Sequence, residues 1–426
     1  MKSFWPTKKL GEICEEILSG DWGTEKEKTG SLLCKVIRGT DFVLVQNGKL
    51  SELPDRYIEI EKFEKIKLKP GDILIEISGG SKDQPTGRIL FWDRNETLPI
   101  VFSNFVKKIL LNTKIVEPKF FFRYWQLLYF KGITKNYEDR TTNIRNFKLK
   151  EFLENKEIPI PPLPIQQKIV KILDMIQEAV EIQEKIIEKT KELKKSLMAE
   201  LFKYGAPSFR KGRKLKKTEI GEIPEDWEVV RLGEIAEVTS SKRIFQSEYV
   251  QRGIDFYRSK EIVELANNSF KSSEFFISEE RYNEIKNKYG VPKKNDILIT
   301  AIGTIGISWV VPDNRKFYFK DGNLLWIKNL KNLNPYYLKY FFDTFLNRIA
   351  TLPTGAPYKA LTIEQLNNFQ IALPPLPEQQ EIAEILQTID QKIEIEKKKK
   401  ELYEELFKTM LNKIMNQEID VEKIEV

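Results

Sequence analysis

The stretch PPLPIQQKIVKIL at Pro161–Leu173 returns as PPLPEQQEIAEIL at Pro374–Leu386, with every aligned apolar position except Ile165, matched by Glu378, kept apolar. Proline has no N–H to leave unpaired in a first helical turn, so each copy reads as a helix start, with Pro164 and Pro377 expected at the first helical position. After the first copy, Ile165, Ile169, Ile172, Ile176, Val180, Ile187, Leu193, Leu197 and Leu201 keep one stripe on one face. Gly205 and Pro207 end it. The second stripe runs Ile382, Ile385, Ile389 and Ile393, passes a polar middle at Lys397 to Lys400, and resumes at Leu402, Leu406, Met410 and Ile414. Each helix is expected to span roughly 39 residues, about 58 Å at 1.5 Å per residue, longer than a small domain is wide.

The repeat extends beyond the helices. WPTKKLGEI at Trp5–Ile13 has its counterpart in WEVVRLGEI at Trp227–Ile235, and GDILIEISGG at Gly71–Gly80 in NDILITAIGT at Asn295–Thr304. Both of the latter are strands of β-rich residues running into glycines. Asn104 is matched with Asn323, and Pro118 with Pro335 at the start of an aromatic helix. A polar loop, Asp139–Asn146 or Leu352–Lys359, precedes each proline signature. The expected fold class is therefore α+β, an internal duplication of two similar domains separated by two long antiparallel helices with pseudo-twofold symmetry. The expected boundaries are 1–157 for the first domain, 158–210 for the first helix and its linker, 211–370 for the second domain, and 371–426 for the second helix. The segment Lys203–Lys217 holds seven basic residues and no acid. It reads as a flexible linker, with phosphate contact as the alternative.

Charge narrows the function. The net +7 divides into +5 for each globular segment, +2 for residues 158–210 and −5 for the tail, so the basic excess sits where a polyanion would be bound; a solvated mixed-charge surface fits it about as well. Histidine is absent, which removes the usual general base and the commonest zinc ligand. Cys14 and Cys34 are not spaced as a metal or redox pair and read as buried structural thiols. No apolar run reaches 18 residues and the opening residues carry charge, so a cytoplasmic chain is expected.

In this order, the two PPLP..QQ..I..IL helix starts, the GDILI and NDILI strands with their glycines, and the LGEI segments resemble the specificity (S) subunits of type I restriction-modification systems along nearly the whole chain. The resemblance implies two target recognition domains, each reading half of a split double-stranded DNA sequence, held apart by a coiled coil. It also implies a non-catalytic chain that binds two methyltransferase (M) subunits, joined by motor-nuclease (R) subunits. No cofactor is then expected in this chain; S-adenosylmethionine, ATP and magnesium would belong to the partners.

Catalytic alternatives are weak on the residues. Asn334, Pro335, Tyr336 and Tyr337 approach the NPPY motif that holds a flipped base, but the second proline is missing, and Asn334 reads as a helix cap with Pro335 behind it. Asp72 with Glu76 suggests a nuclease metal pair, yet Ser78 stands where lysine should and copy two has Thr300 for the glutamate. No GxxxxGK[ST] occurs. An antiparallel scaffold whose paired domains bind proteins remains the alternative from another class.

Base readout needs donors and acceptors where the copies differ. Between Asp72 and Asn104 copy one is five residues longer than copy two between Asp296 and Asn323, within the loop offering Ser81, Lys82, Gln84 and Arg88. The polar loop offers Arg140, Thr142, Asn143 and Arg145 in copy one and Thr354, Tyr358 and Lys359 in copy two. Copy two adds Ser241, Lys242, Arg243 and Arg258. These fifteen residues are the candidate DNA contacts, and their differences between copies predict two different half-sites separated by an unread gap.

Overall fold

Four helices frame the chain in a computed structural model, which describes residues 5–81, 84–140, 145–346 and 360–425: α1 (Pro118–Phe130), α2 (Leu163–Tyr204), α3 (Pro335–Phe345) and α4 (Leu376–Met415). The long pair, α2 and α4, have 42 and 40 residues, about 63 and 60 Å at 1.5 Å per residue. Leu163 and Leu376 take the first helical position, so Pro164 and Pro377 come second rather than first. Contacts divide the chain into two units, residues 1–184 with 398–426, and residues 185–397, so both divisions fall inside the long helices.

In the first unit the strands are β1 (Thr7–Lys9), β2 (Cys14–Ser19), β3 (Ser31–Ile37), β4 (Asp55–Glu59), β5 (Asp72–Glu76), β6 (Ser78–Gly79), β7 (Ile89–Trp92), β8 (Ile100–Phe102), β9 (Val106–Leu111), β10 (Glu138–Arg140), β11 (Arg145–Phe147) and β12 (Glu157–Pro159). A sheet in the order β2-β9-β5-β7 packs against β4-β3-β8 through a core of Val36, Ile37, Leu74, Leu90, Trp92 and Val101. On its other face, Ile73, Ile75 and Ile109 meet the aromatics of α1, with Trp125 at the centre. β1 pairs with β12, so the domain's first strand closes against the strand that leads into α2. The start of α2 contributes Ile169, Ile172 and Leu173 to this core, and the end of α4 contributes Phe407, Leu411 and Ile414. Ion pairing of Lys400 with Glu184, and of Lys168 with the Glu422 carbonyl by hydrogen bond, fixes the two helix segments as antiparallel.

The second unit repeats the plan with β13 (Leu215–Thr218), β14 (Gly221–Pro224), β15 (Glu228–Arg231), β16 (Glu237–Thr239), β17 (Tyr249–Val250), β18 (Ile254–Tyr257), β19 (Phe276–Ile277), β20 (Ile297–Thr300), β21 (Ser308–Val310), β22 (Phe317–Phe319), β23 (Leu324–Lys328) and β24 (Gln370–Leu373). The order β16-β23-β20-β21 matches β2-β9-β5-β7, and β15 pairs with β24 as β1 does with β12. Register is kept too: Ile73 lies opposite Ile109 and Ile297 opposite Ile327. This register sets Asn323 equivalent to Phe105, one residue beyond the expected Asn104, because Val106 faces Glu76 where Leu324 faces Thr300.

The glutamine-rich first turn of each long helix explains the signature. Gln166 is fully buried; its Oε1 accepts the Glu117 N–H at 2.8 Å, and its Nε2 donates to the Ile115 carbonyl at 3.0 Å and the Pro161 carbonyl at 2.8 Å. Gln379 makes the same three bonds, to the Asn334 N–H at 2.8 Å and to the Asn332 and Pro374 carbonyls at 3.0 and 2.8 Å. One side chain thus joins the N-terminus of the long helix to that of the aromatic helix. Glu117 and Asn334 are the caps of those aromatic helices, with Pro118 and Pro335 at the first turn, so the Asn-Pro-Tyr-Tyr run is a cap.

Two further expectations are corrected. The basic segment after α2 is anchored rather than flexible: Arg213 is ion-paired with the fully buried Glu378 and with Asp226, Trp227 donates its indole N–H to Glu378 at 2.9 Å, and residues 215–224 form the β13–β14 hairpin. Leu193, Leu402 and Leu406, placed on the buried stripes by spacing, are 59, 63 and 43 % exposed. Tertiary packing selects Phe407 and Leu411 instead, because they meet the aromatic helix of their own unit.

Replacing Gln379 with alanine should leave one buried N–H and two carbonyls unpaired and lower the unfolding free energy by about 3 kcal/mol, at roughly 1–3 kcal/mol for each unsatisfied group. Gln379→Glu should not restore it, since the two Nε2 donors are lost. Urea titration checks both.

Candidate nucleic-acid interface

The equivalent strands β5 and β20 end at Glu76 and Thr300, and the loops that differ most between the copies start there. In the first unit Glu76 N–H bonds the Arg88 carbonyl, and Gly87 N–H bonds the Glu76 carbonyl. In the second, Thr300 N–H bonds the Ile307 carbonyl, and Gly306 N–H bonds Thr300. The same closure therefore spans twelve positions in one copy and seven in the other, which places the five extra residues in the expected loop.

Other chain ends converge on the same edge. β2 ends at Ser19 opposite Lys107, β3 ends at Ile37 beside Phe102, and the turn Ser103–Phe105 leads into β9. Asp21 N–H reaches the Phe102 carbonyl at 2.8 Å, so the turn after β2 lies against the end of β8. In the second unit β16 ends at Thr239, β18 at Tyr257 and β22 at Phe319, with Ser240 Oγ bonded to the Leu324 carbonyl and Ser259 Oγ to that of Asn323. Each domain thus collects its loops at one end of its sheets.

Most of the candidate side chains stand on these two edges. In the first unit Ser81 and Gln84 are exposed, the Gln84 N–H donating to Ser81 Oγ at 3.1 Å. Arg88 forms a bidentate pair with Glu76, at 2.8 Å from Nε and 2.6 Å from Nη2, with Glu76 only 1 % exposed; the carboxylate raises the guanidinium pKa above its ordinary value. Arg145 pairs at 3.2 Å with Glu138, which also accepts the Thr86 N–H and hydroxyl. The Arg140 backbone lies opposite Arg145 in the β10–β11 ladder. In the second unit Arg243 reaches Asp321 at 2.7 Å, and Arg258 reaches Glu261 at 2.7 Å and Glu274 at 2.6 Å. The Lys242 ammonium lies 5.4 Å from the Tyr289 ring centre, and the Lys242 backbone N–H donates to the Tyr318 hydroxyl at 2.6 Å. The Ser241 hydroxyl is buried without a partner. Lys82, Thr142, Asn143, Thr354, Tyr358 and Lys359 lie outside the described residues.

Sequence reasoning missed Arg38 and the acids behind the arginines. Arg38 follows β3 and is held by Asp41 through its backbone N–H at 2.9 Å, Nε at 2.8 Å and Nη2 at 2.8 Å. Arg258 follows the equivalent β18 and is held by Glu261 in the same way, at 2.8, 3.2 and 2.7 Å. The signal was available: an arginine after a strand with a carboxylate three residues later, RGTD at Arg38–Asp41 and RSKE at Arg258–Glu261. Glycine is required at 39, where a Cβ would stand 2.5 Å from Glu76 Oε1.

Neither the carboxylates nor the thiols singled out by the sequence form a catalytic group among the described residues. Asp72 and Glu76 are four residues apart on one strand, about 13 Å, too far to share an ion. Asp72 is paired with Lys108 at 3.1 Å and Glu76 with Arg88. Burial pushes the Cys14 thiol up to about 12 and the Cys34 thiol to about 11, so neither is a thiolate near neutral pH.

Three comparisons bear on this geometry. The family model described as type I restriction modification DNA specificity domain matches residues 2–192 and 224–405. The type I restriction enzyme MjaVIII specificity subunit of Methanocaldococcus jannaschii is 29% identical over 353 residues, covering 79% of this chain and 80% of its own. Among solved structures, the type I restriction-modification S subunit from M. genitalium aligns with a TM-score of 0.57 at 14% identity, over 97% of this chain and 96% of that one. A chain from a structure concerning complex assembly and conformational transition of a type I R-M system aligns with a TM-score of 0.61 at 18% identity, over 97% and 98%. No helix among the described residues is long and apolar enough to cross a membrane.

Breaking the buried Glu76–Arg88 pair from one side should be costly, because the remaining guanidinium is left without its counter-charge. Glu76→Ala is expected to destabilise the first unit by about 3–5 kcal/mol, whereas the double change Glu76→Thr, Arg88→Ile, which copies the second unit's Thr300 and Ile307, should cost clearly less. Thermal unfolding of the full chain checks the order.

Proposed function

The chain belongs to the type I restriction-modification DNA specificity family, and on that premise we propose that it is the non-catalytic recognition subunit of such a complex, each domain reading one half of an asymmetric split DNA target. One observation carries the reading: two domains with the same strand order and register end in loops of different length and side-chain content, at equivalent sheet edges. A common frame with divergent edges suits two related but different half-sites. Ser81, Gln84, Arg88 and Arg145 would serve one edge, and Ser241, Lys242, Arg243 and Arg258 the other, joined by the candidates of the two polar loops.

The long helices are proposed to set the gap between half-sites and to dock two methyltransferase subunits. Large apolar side chains left open on them support this: Met175, Ile182, Leu402 and Leu406 in the first unit, Leu193 and Ile395 in the second, all between 43 and 63 % exposed. Motor-nuclease subunits would join that core, with S-adenosylmethionine, ATP and magnesium used by the partners in the cytoplasm.

Selection from random duplex DNA, by the chain alone and with its co-purified methyltransferase, tests the proposal. Enrichment of two different short motifs at constant separation is expected, and a perfect palindrome would overturn the asymmetric reading. No enrichment in either state would favour a protein-binding scaffold. Deleting one helical turn from both long helices should shorten the preferred separation and leave both motifs as they were.

A further inference from the structure

The RxxD/E arrangement is a polar device that the two loop edges share, yet its two copies differ in what they leave open. In both, the carboxylate grips the side of the guanidinium, accepting from Nε and Nη2. Among the described residues Arg38 is bound by Asp41 alone, its side chain is 47% exposed, and its guanidinium lies near the Trp22 ring, 5.9 Å from the ring centre. Trp22 is itself covered by Arg56 at 4.4 Å, which fixes the ring. The outer edge of Arg38, Nη1 with the second Nη2 hydrogen, faces no partner among the described residues. Arg258 donates Nη2 to Glu274 as well as Glu261, at 2.6 Å, lies 4.3 Å from the Phe275 ring centre, and is 26% exposed. Its outer fork is closed.

We propose that Arg38 is a specificity-determining residue of the first domain, reading one guanine through its open Nη1/Nη2 edge while Asp41 and Trp22 hold that edge in place. The inference rests on the DNA-recognition reading above. Two parallel N–H donors match the O6 and N7 acceptors that guanine alone presents together in the major groove. A buttressed arginine suits this task better than phosphate anchoring, since its charge is already neutralised by Asp41 and its orientation is what the contact needs. Arg258 retains only Nη1, a single donor that fits a phosphate oxygen and lacks the two-point match to guanine. The two half-sites are then expected to differ at this position.

The test is duplex selection with the full chain and its co-purified methyltransferase. The unaltered chain should enrich a guanine at one position of the half-site that also responds to Gln84→Ala in the neighbouring loop. Arg38→Ala should reduce preference for that guanine from roughly tenfold or more to near parity and leave the remaining positions and the other half-site unchanged. Asp41→Asn, which keeps shape but loosens the grip, should weaken the same preference in part. Arg94→Gln, which removes equal charge beyond Trp92 at the opposite end of β5, should leave it intact. Melting temperatures confirm that each variant is folded. A folded Arg38→Ala chain that keeps every preference, or one that loses affinity equally for all sequences, would overturn the inference. So would Arg258→Ala erasing a guanine preference of its own. Failure of the unaltered chain to enrich any motif would instead overturn the recognition reading on which this one stands.

Discussion

A buried glutamine holds each half of this protein together. Gln166 and Gln379 present one acceptor and two donors, and each uses all three on backbone groups that helix ends and proline turns leave unpaired. The bonds join three segments: the proline turn before the long helix, the loop before the aromatic helix, and the cap of that helix. A charged side chain could not satisfy this mixture, and an apolar one would strand all three groups. The long helix is therefore oriented by the domain that precedes it, through its first turn.

Given this frame, the duplication has diverged by exchanging interactions while preserving the backbone. The Lys108–Asp72 pair on the first central sheet becomes a Trp326 indole bond to Asp296, at 2.9 Å, in the second. The buried Glu76–Arg88 pair becomes Thr300 and Ile307, with the Thr300 hydroxyl accepting the Ile307 N–H at 3.0 Å. Each substitution keeps its buried polar groups bonded, which is the condition for a core to tolerate them. A loop of different length can then be carried on unchanged strands. Such exchange lets an edge vary without endangering the sheet behind it.

How much of this could be read from the sequence follows from what each signal encodes. The proline signatures, the β-rich strands and the five extra loop residues are local patterns, and they were legible in place and type. The face a long helix buries is not local: Leu402 and Leu406 satisfy the spacing, but Phe407 and Leu411 reach the aromatic helix and win. The basic run at Lys203–Lys217 looked mobile by composition, because nothing nearby in sequence reveals that Arg213 has a buried partner at Glu378. The matching of Asn104 to Asn323 failed for a related reason, since residue identity prevailed over a register that only strand pairing defines. Arg258 was among the candidates but its counterpart Arg38 was passed over, because the equivalence of RGTD and RSKE shows only once β3 and β18 are matched by strand pairing.

Cation bookkeeping at the two edges also revises the electrostatic argument. A net charge of +7 suggested affinity for a polyanion, yet the best-placed arginines, 38, 88, 145, 243 and 258, all face carboxylates of their own domain. Paired in this way they add little to long-range attraction, and at moderate salt, with a screening length of about 8–10 Å, less still. What the pairing does supply is fixed direction. A guanidinium free to swing accepts many partners, while one held on two nitrogens by a buried acid can satisfy few. The edges are thus built for fixed direction more than for attraction.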